Sequence, residues 1–207
     1  MMTYRYLFSV DPSLTCSGWA LFSVKNGELR AIGKIASIPP KHLLSERLID
    51  LQNKISGVYT QLKLNNEDVL ICESPTAMRD PNAAIKVEQV RSIFETIARN
   101  AGLSVPGRIN PRSVQNEILG LKGKQIKRTL VKELAVEAVF NLFSPSLKSL
   151  GFAANKANLK KHQDIVDAIL IGSLAISRMA TANIGGMSIA DIFSSSHPAR
   201  SGRIMSR

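Results

Sequence analysis

A mixed α/β layer fold, with three antiparallel strands followed by parallel strands and helices on both sides, is the architecture the sequence predicts. Three observations predict it: strand-like runs joined by tight turns fill the first 38 residues, a short wholly apolar strand follows a helix, and the last long helix is apolar on nearly every side. "YRYLFSV" (4–10) reads as a buried strand ending at Asp11-Pro12. "CSGWALFSV" (16–24) is the second strand, and Asn26-Gly27 turns the chain into the third, "LRAIGKIASI" (29–38). Residues 41–64 carry Leu44, Leu48, Leu51 and Ile55 at helical spacing. "DVLICE" (68–73), coming after that helix and apolar on both faces, suits a parallel strand inside a sheet. A helix over 82–101 lies between Pro81 and Gly102. "LSVPGRI" is a short strand or edge, Pro111 opens a helix to about Leu119, and a longer helix after the turn at 120–123 runs to Phe143. Residues 144–161 read as a loop with about one helical turn, and 162–179 as the last helix. One domain is expected over 1–180, with 181–207 a flexible basic tail.

The 207 residues are 44% hydrophobic, enough for one domain with a full-sized core. No run reaches the ~18 apolar residues of a membrane span, and "MMTYRYLFSV" lacks the pattern of a secretory signal. Cys16 and Cys72, in apolar strand contexts with no CxxC pair, read as reduced thiols, which suits a cytoplasmic or other reducing compartment. Net charge is +11, and its location matters more than its size. Residues 108–161 hold eleven Lys/Arg against three Asp/Glu, whereas 1–107 hold twelve against ten. A surface that is only solvated would spread its charge; a concentrated excess suits a polyanion such as DNA, with ribosome binding or a membrane surface as the other options.

Acids mark the chemistry. Asp11 closes the first strand and Glu73 the fourth, so if these strands are parallel neighbours their carboxylates emerge together at a sheet edge. Asp164 and Asp167 are three apart in the first turn of the greasy helix, hence on one face, and can reach the same point. Read singly, Asp11 is a turn residue and Asp164 an N-cap. Together, four carboxylates on an apolar scaffold repel one another unless divalent cations neutralise them. Hard oxygen ligands without His or Cys suit Mg²⁺ or Mn²⁺, and two such ions would serve phosphodiester hydrolysis.

On these residues the chain resembles the RuvC family of Holliday-junction resolvases, which have the RNase H-like fold. The resemblance rests on "SVDPSLTCSGWAL", on "ICESPTAMRDPNAAIKVEQVRSIF" with Ala84, Lys86, Gln89 and Arg91, and on "HQDIVDAILIG". It implies a homodimer that makes paired nicks in four-way DNA junctions with Mg²⁺, with Asp11, Glu73, Asp164 and Asp167 as metal-binding catalytic acids. Two positions depart from it: Thr76 stands where bacterial members often carry an aromatic wedge, and Gln115 where they carry a lysine. Lys124 or Lys127 matches a second basic position. The basic stretch is expected to grip the DNA backbone through Arg112, Lys122, Lys124, Lys127 and Arg128, with Gly123 opening a helix whose amides face a phosphate. Lys86 and Arg91 are expected to face DNA as well, the equal alternative being a salt-bridged surface with Glu88 and Glu95. The alternatives are an RNase H-like nuclease for flaps, other branched DNA or RNA–DNA hybrids, and a junction-binding protein without catalysis.

Overall fold

The structure, a computed structural model, describes residues 4–75, 80–122 and 126–194. Its centre is a five-stranded sheet in the order β3-β2-β1-β4-β5. The strands are β1 (Tyr6–Asp11), β2 (Cys16–Ser23), β3 (Leu29–Ala36), β4 (Val69–Glu73) and β5 (Arg108–Ile109). β1, β2 and β3 form an antiparallel meander, and β4 and β5 add in parallel to the other edge of β1. The β2–β3 connection is longer than the two-residue hairpin that Asn26-Gly27 suggests: Gly27 takes φ +68° and donates its N–H to the Ser23 carbonyl at 2.9 Å.

Alternation along the strands divides the core. Phe8, Val10, Leu70 and Cys72 face one layer, formed by α1 (Leu44–Leu62) and α2 (Pro81–Asn100). Leu7, Val69 and Ile71 face the other, where α6 (Gln163–Gly185) lies across β1 and β2 with α4 (Arg128–Ser149) packed against it. The same period of two puts Ser9, Asp11 and Glu73 on the α6 side. Ser9 is fully buried and donates its hydroxyl to the Ala168 carbonyl at 2.8 Å, tying sheet to helix. At Gly172 a Cβ would come within 2.3 Å of the Phe22 ring, so glycine lets the helix sit close.

α6 explains its own composition. By length and hydropathy it could cross a membrane, contrary to the reading from apolar runs alone, yet most of its apolar window is buried between sheet and α4.

Three expectations change. α4 runs on to Ser149 instead of stopping at Phe143. Pro145 removes one backbone donor, but Leu147 beyond it is fully buried in the α6-side core and Phe143 packs edge-on against Phe22 at 5.9 Å, which holds the helix in place. Residues 156–161 then form α5, so only 150–155 is loop. α6 continues to Gly185, and α7 (Ile189–Ser194) follows where a flexible tail was expected from 181. Its anchor is Phe193, 5% exposed, against Gly107, where a Cβ would meet the Phe193 carbonyl oxygen at 2.6 Å. Between β5 and α4 the chain makes α3 (Pro111–Ser113), which widens into a π-helical turn over Val114–Ile118.

Candidate active site

β1 and β4 are parallel with Val10 beside Cys72, so the next residue of each strand, Asp11 and Glu73, ends side by side on the α6 face. Asp11 also pairs across β1–β2 with Gly18. A Cβ on Gly18 would lie 1.9 Å from the Asp164 carbonyl oxygen and 2.8 Å from the Ile165 nitrogen, so the first turn of α6 rests directly on bare strand backbone. That seat brings Asp164 and Asp167 to the two strand-end acids. All four line one cleft of about 520 Å³, each partly buried.

The sequence thus anticipates a gathering of these four acids, and the fold makes it. Among the described residues, no three are closed around a point tightly enough to form a ready metal shell; the acids line the cleft walls. Asp11 is pushed well up from the ordinary carboxylate range, first by burial and then by the negative charges of Glu73, Asp167 and Asp164. Glu73 is pushed up to about 7 by burial and by Asp167, with Arg91 pulling the other way. Asp167 is pushed up to about 6 by burial, opposed by Lys132 and Arg128. Asp11 and Glu73 share a side-chain hydrogen bond. Cys16, beside Asp164, has its thiol pushed up to about 11, chiefly by burial. Such a cluster holds protons tightly because the fold supplies too little positive charge. Hard divalent cations fit it, since the four acids offer only carboxylate oxygens. A further donor is Gln163, which lines the same cleft and has a buried Oε1 with no hydrogen-bond partner among the described residues.

The basic residues divide differently from expectation. Arg128 lines the cleft, at the first turn of α4. Lys86, Lys122 and Lys127 are exposed, on α2, in the loop after the π-helical turn, and at the N-cap of α4. Arg112 lines a separate groove of about 670 Å³ behind β5. Lys124, Gly123 and Thr76 lie outside the described residues; the helix expected to open at Gly123 begins at Arg128.

Arg91 corrects its reading as a DNA-facing residue. It is 1% exposed, because α2 turns that face onto the sheet. Its Nε donates to the Glu73 carbonyl at 2.7 Å and its Nη1 pairs with Glu88, which also holds Arg108 at 3.0 Å. Arg91 therefore fixes the end of β4 and lends positive charge to Glu73. Arg91→Leu is expected to cost about 2–3 kcal/mol in urea unfolding, because it strips partners from buried polar groups. The salt dependence of DNA binding should stay unchanged, which a DNA-facing arginine would not allow.

Gln115 and Gln163 line the cleft without a site role expected of them, and Lys132, which belongs to the basic stretch expected to grip the DNA backbone, lines it as well. Lys132 follows Arg128 by one helical turn, and that spacing was the available signal.

The mixed sheet flanked by helices is the fold of solved RuvC-type resolvases, and the chain is similar to RuvC proteins in sequence as well. It is 29% identical over 113 residues to the crossover junction endodeoxyribonuclease RuvC of Parvibaculum lavamentivorans, covering 54% of this chain and 62% of that protein. To the protein of that name from Chelativorans sp. it is 28% identical over 139 residues, covering 65% and 78%. Thermus thermophilus RuvC, solved in complex with a Holliday junction substrate, superposes with a TM-score of 0.59 at 16% identity, over 88% of this chain and 97% of that one. The fowlpox virus Holliday junction resolvase gives 0.50 at 16% identity, over 85% and 98%. No protein-family model matches the chain.

Proposed function

We propose that the chain is a Mg²⁺-dependent Holliday-junction resolvase, an endodeoxyribonuclease of recombination and repair that nicks paired strands of four-way DNA as a homodimer. The observation that carries the proposal is the seating of α6 on Gly18, which delivers Asp164 and Asp167 to Asp11 and Glu73 beside a cationic helix. The likeness to RuvC proteins in sequence and fold supports it.

Asp11, Glu73, Asp164 and Asp167 would hold two Mg²⁺ or Mn²⁺ ions, which supply Lewis acidity and neutralise charge during phosphodiester hydrolysis. The chain's own part is positional. β1 and β4 fix two acids through the sheet, α6 fixes two through its packing, and Arg91 holds the end of β4. Arg128 draws the anionic backbone toward the cleft, while exposed Lys122 and Lys127 extend the grip without reading bases. Among the described residues each chain holds one such acid cluster, which supports the dimer, since paired nicks need two centres. The free thiols Cys16 and Cys72 support a reducing, DNA-containing compartment such as the cytoplasm.

Incubating the protein in Mg²⁺ with a labelled four-way junction, linear duplex, flap and RNA–DNA hybrid tests the proposal. Paired nicks confined to the junction are expected. Preferential cutting of flap or hybrid moves the function to another RNase H-like nuclease, and binding without cutting in either metal leaves a junction-binding scaffold.

The raised carboxyl groups set a pH dependence. With Glu73 at about 7 when folded against 4.5 unfolded, the folded state holds more protons near pH 6. Metal-free stability should therefore be greatest below about pH 4.5 as far as this group is concerned, and fall as pH rises through 7. Mg²⁺ replaces the lost protons, so the rise in Tm on adding it should be larger at pH 8 than at pH 5. Equal shifts at both pH values, read by thermal denaturation, would contradict this.

A further inference from the structure

The two sides of the cleft differ in charge. β1, β4 and α6 contribute the four acids, while α4 contributes Arg128 and Lys132, the two cations among the described residues that line it. The helical spacing of four places Lys132 one turn further along α4 than Arg128, between Val131 and Ala135, which also line the cleft. Arg108, Arg178 and Lys156 are held by glutamates, whereas Lys132 makes no ion pair among the described residues. Four carboxylates share its cleft and none closes to within 4 Å of it. A cation that faces an acid cluster across a gap, and is not collapsed onto it, leaves room for an anionic group between them. Gln115 and Gln163 line the same space without charge.

We propose that Lys132 is a catalytic residue that contacts a non-bridging oxygen of the scissile phosphate. The inference rests on the nuclease reading and deepens it. In the step it serves, the oxygen of a water bonds to phosphorus as a bridging P–O bond breaks. The water gives up a proton to solvent, and the departing oxygen takes one up, leaving an alcohol and a phosphomonoester. Negative charge gathers on the non-bridging oxygens on the way, and an ammonium carried into the cleft by α4 meets it there. Lys122 and Lys127, exposed like Lys132 but not lining the cleft, grip the backbone.

The test separates rate from grip. Lys132→Gln, Lys132→Arg and, as a control, Lys25→Gln would each be compared with the native chain in single-turnover cutting of a four-way junction at saturating protein, alongside the Kd. Lys132→Gln is expected to slow cutting about 100-fold while the Kd changes less than about 3-fold, and Lys132→Arg to recover part of the rate. Lys25→Gln, exposed in the turn between β2 and β3 and far in sequence from every cleft residue on α4, should leave both the saturated rate and the Kd unchanged. Ethylammonium should speed Lys132→Ala and not the native chain, a rescue that a purely structural lysine would not show. If Lys132→Gln cuts at the native rate once saturated, the proposal is overturned and the nuclease reading stands. If the native chain cuts no substrate, both fall.

Discussion

Glu73→Gln is expected to abolish junction cutting while making the metal-free protein more stable. The two effects have one cause. Glu73 closes β4 beside Asp11, in a cleft that four carboxylates share, and its pKa of about 7 records how poorly the fold tolerates its charge. Glutamine keeps the shape and removes the charge. At about 1.4 kcal/mol per pKa unit, up to about 3 kcal/mol of electrostatic cost disappears above pH 7. The loss of a metal-binding oxygen should slow cutting by about 1,000-fold or more, some 4 kcal/mol of barrier. Urea unfolding in EDTA at pH 8 and cutting in Mg²⁺ read the two effects separately. A variant both less stable and fully active would sink the account of Glu73. An active site that strains its own fold is a common trade between stability and function.

Gly18→Ala should have the opposite signature, losing stability and activity together. The added methyl would overlap the Asp164 carbonyl at 1.9 Å, and its neighbour there is helix backbone, which cannot rotate out of the way. Either α6 lifts from the sheet at its first turn or β2 bends. Overpacking of this kind costs about 3 kcal/mol. Because Asp164 and Asp167 sit on the displaced turn, activity should fall about 100-fold or more even where the protein stays folded, since small misplacements of catalytic groups are costly. Circular dichroism with urea, followed by cutting assays on the folded fraction, measures both. Native activity in a stable Gly18→Ala protein would mean that the close approach of α6 does not position the acids.

The four acids could be found in the sequence because each sits at the end of an element whose period is easy to read. A strand-end acid and a D-x-x-D pair at a helix start stand out against apolar runs. Gly18 left a weaker trace, a glycine inside an apolar strand, which signals close backbone approach without naming what approaches. Arg91 was misread because a charge pattern does not say which face of a helix packs inward; only the sheet beneath α2 makes that arginine internal. The continuation of α4 past Pro145 follows from the burial of Leu147, a tertiary effect that local propensity does not contain. The docking of α7 likewise depends on Gly107 meeting Phe193, two positions far apart in sequence. Lys132 lay in plain view in a basic stretch, yet nothing local distinguishes it from Lys122 or Lys127.

On the proposed function, acids from three separate segments form one cation-binding catalytic centre. Mn²⁺ titration followed by electron paramagnetic resonance, with a four-way junction present, tests it most directly. Two tightly held ions per native chain are expected, with at least one lost in both Glu73→Gln and Asp167→Asn. Equal Mn²⁺ binding by the native chain and both variants would contradict it, and the cleft would then be an acidic pocket with no part in holding metal.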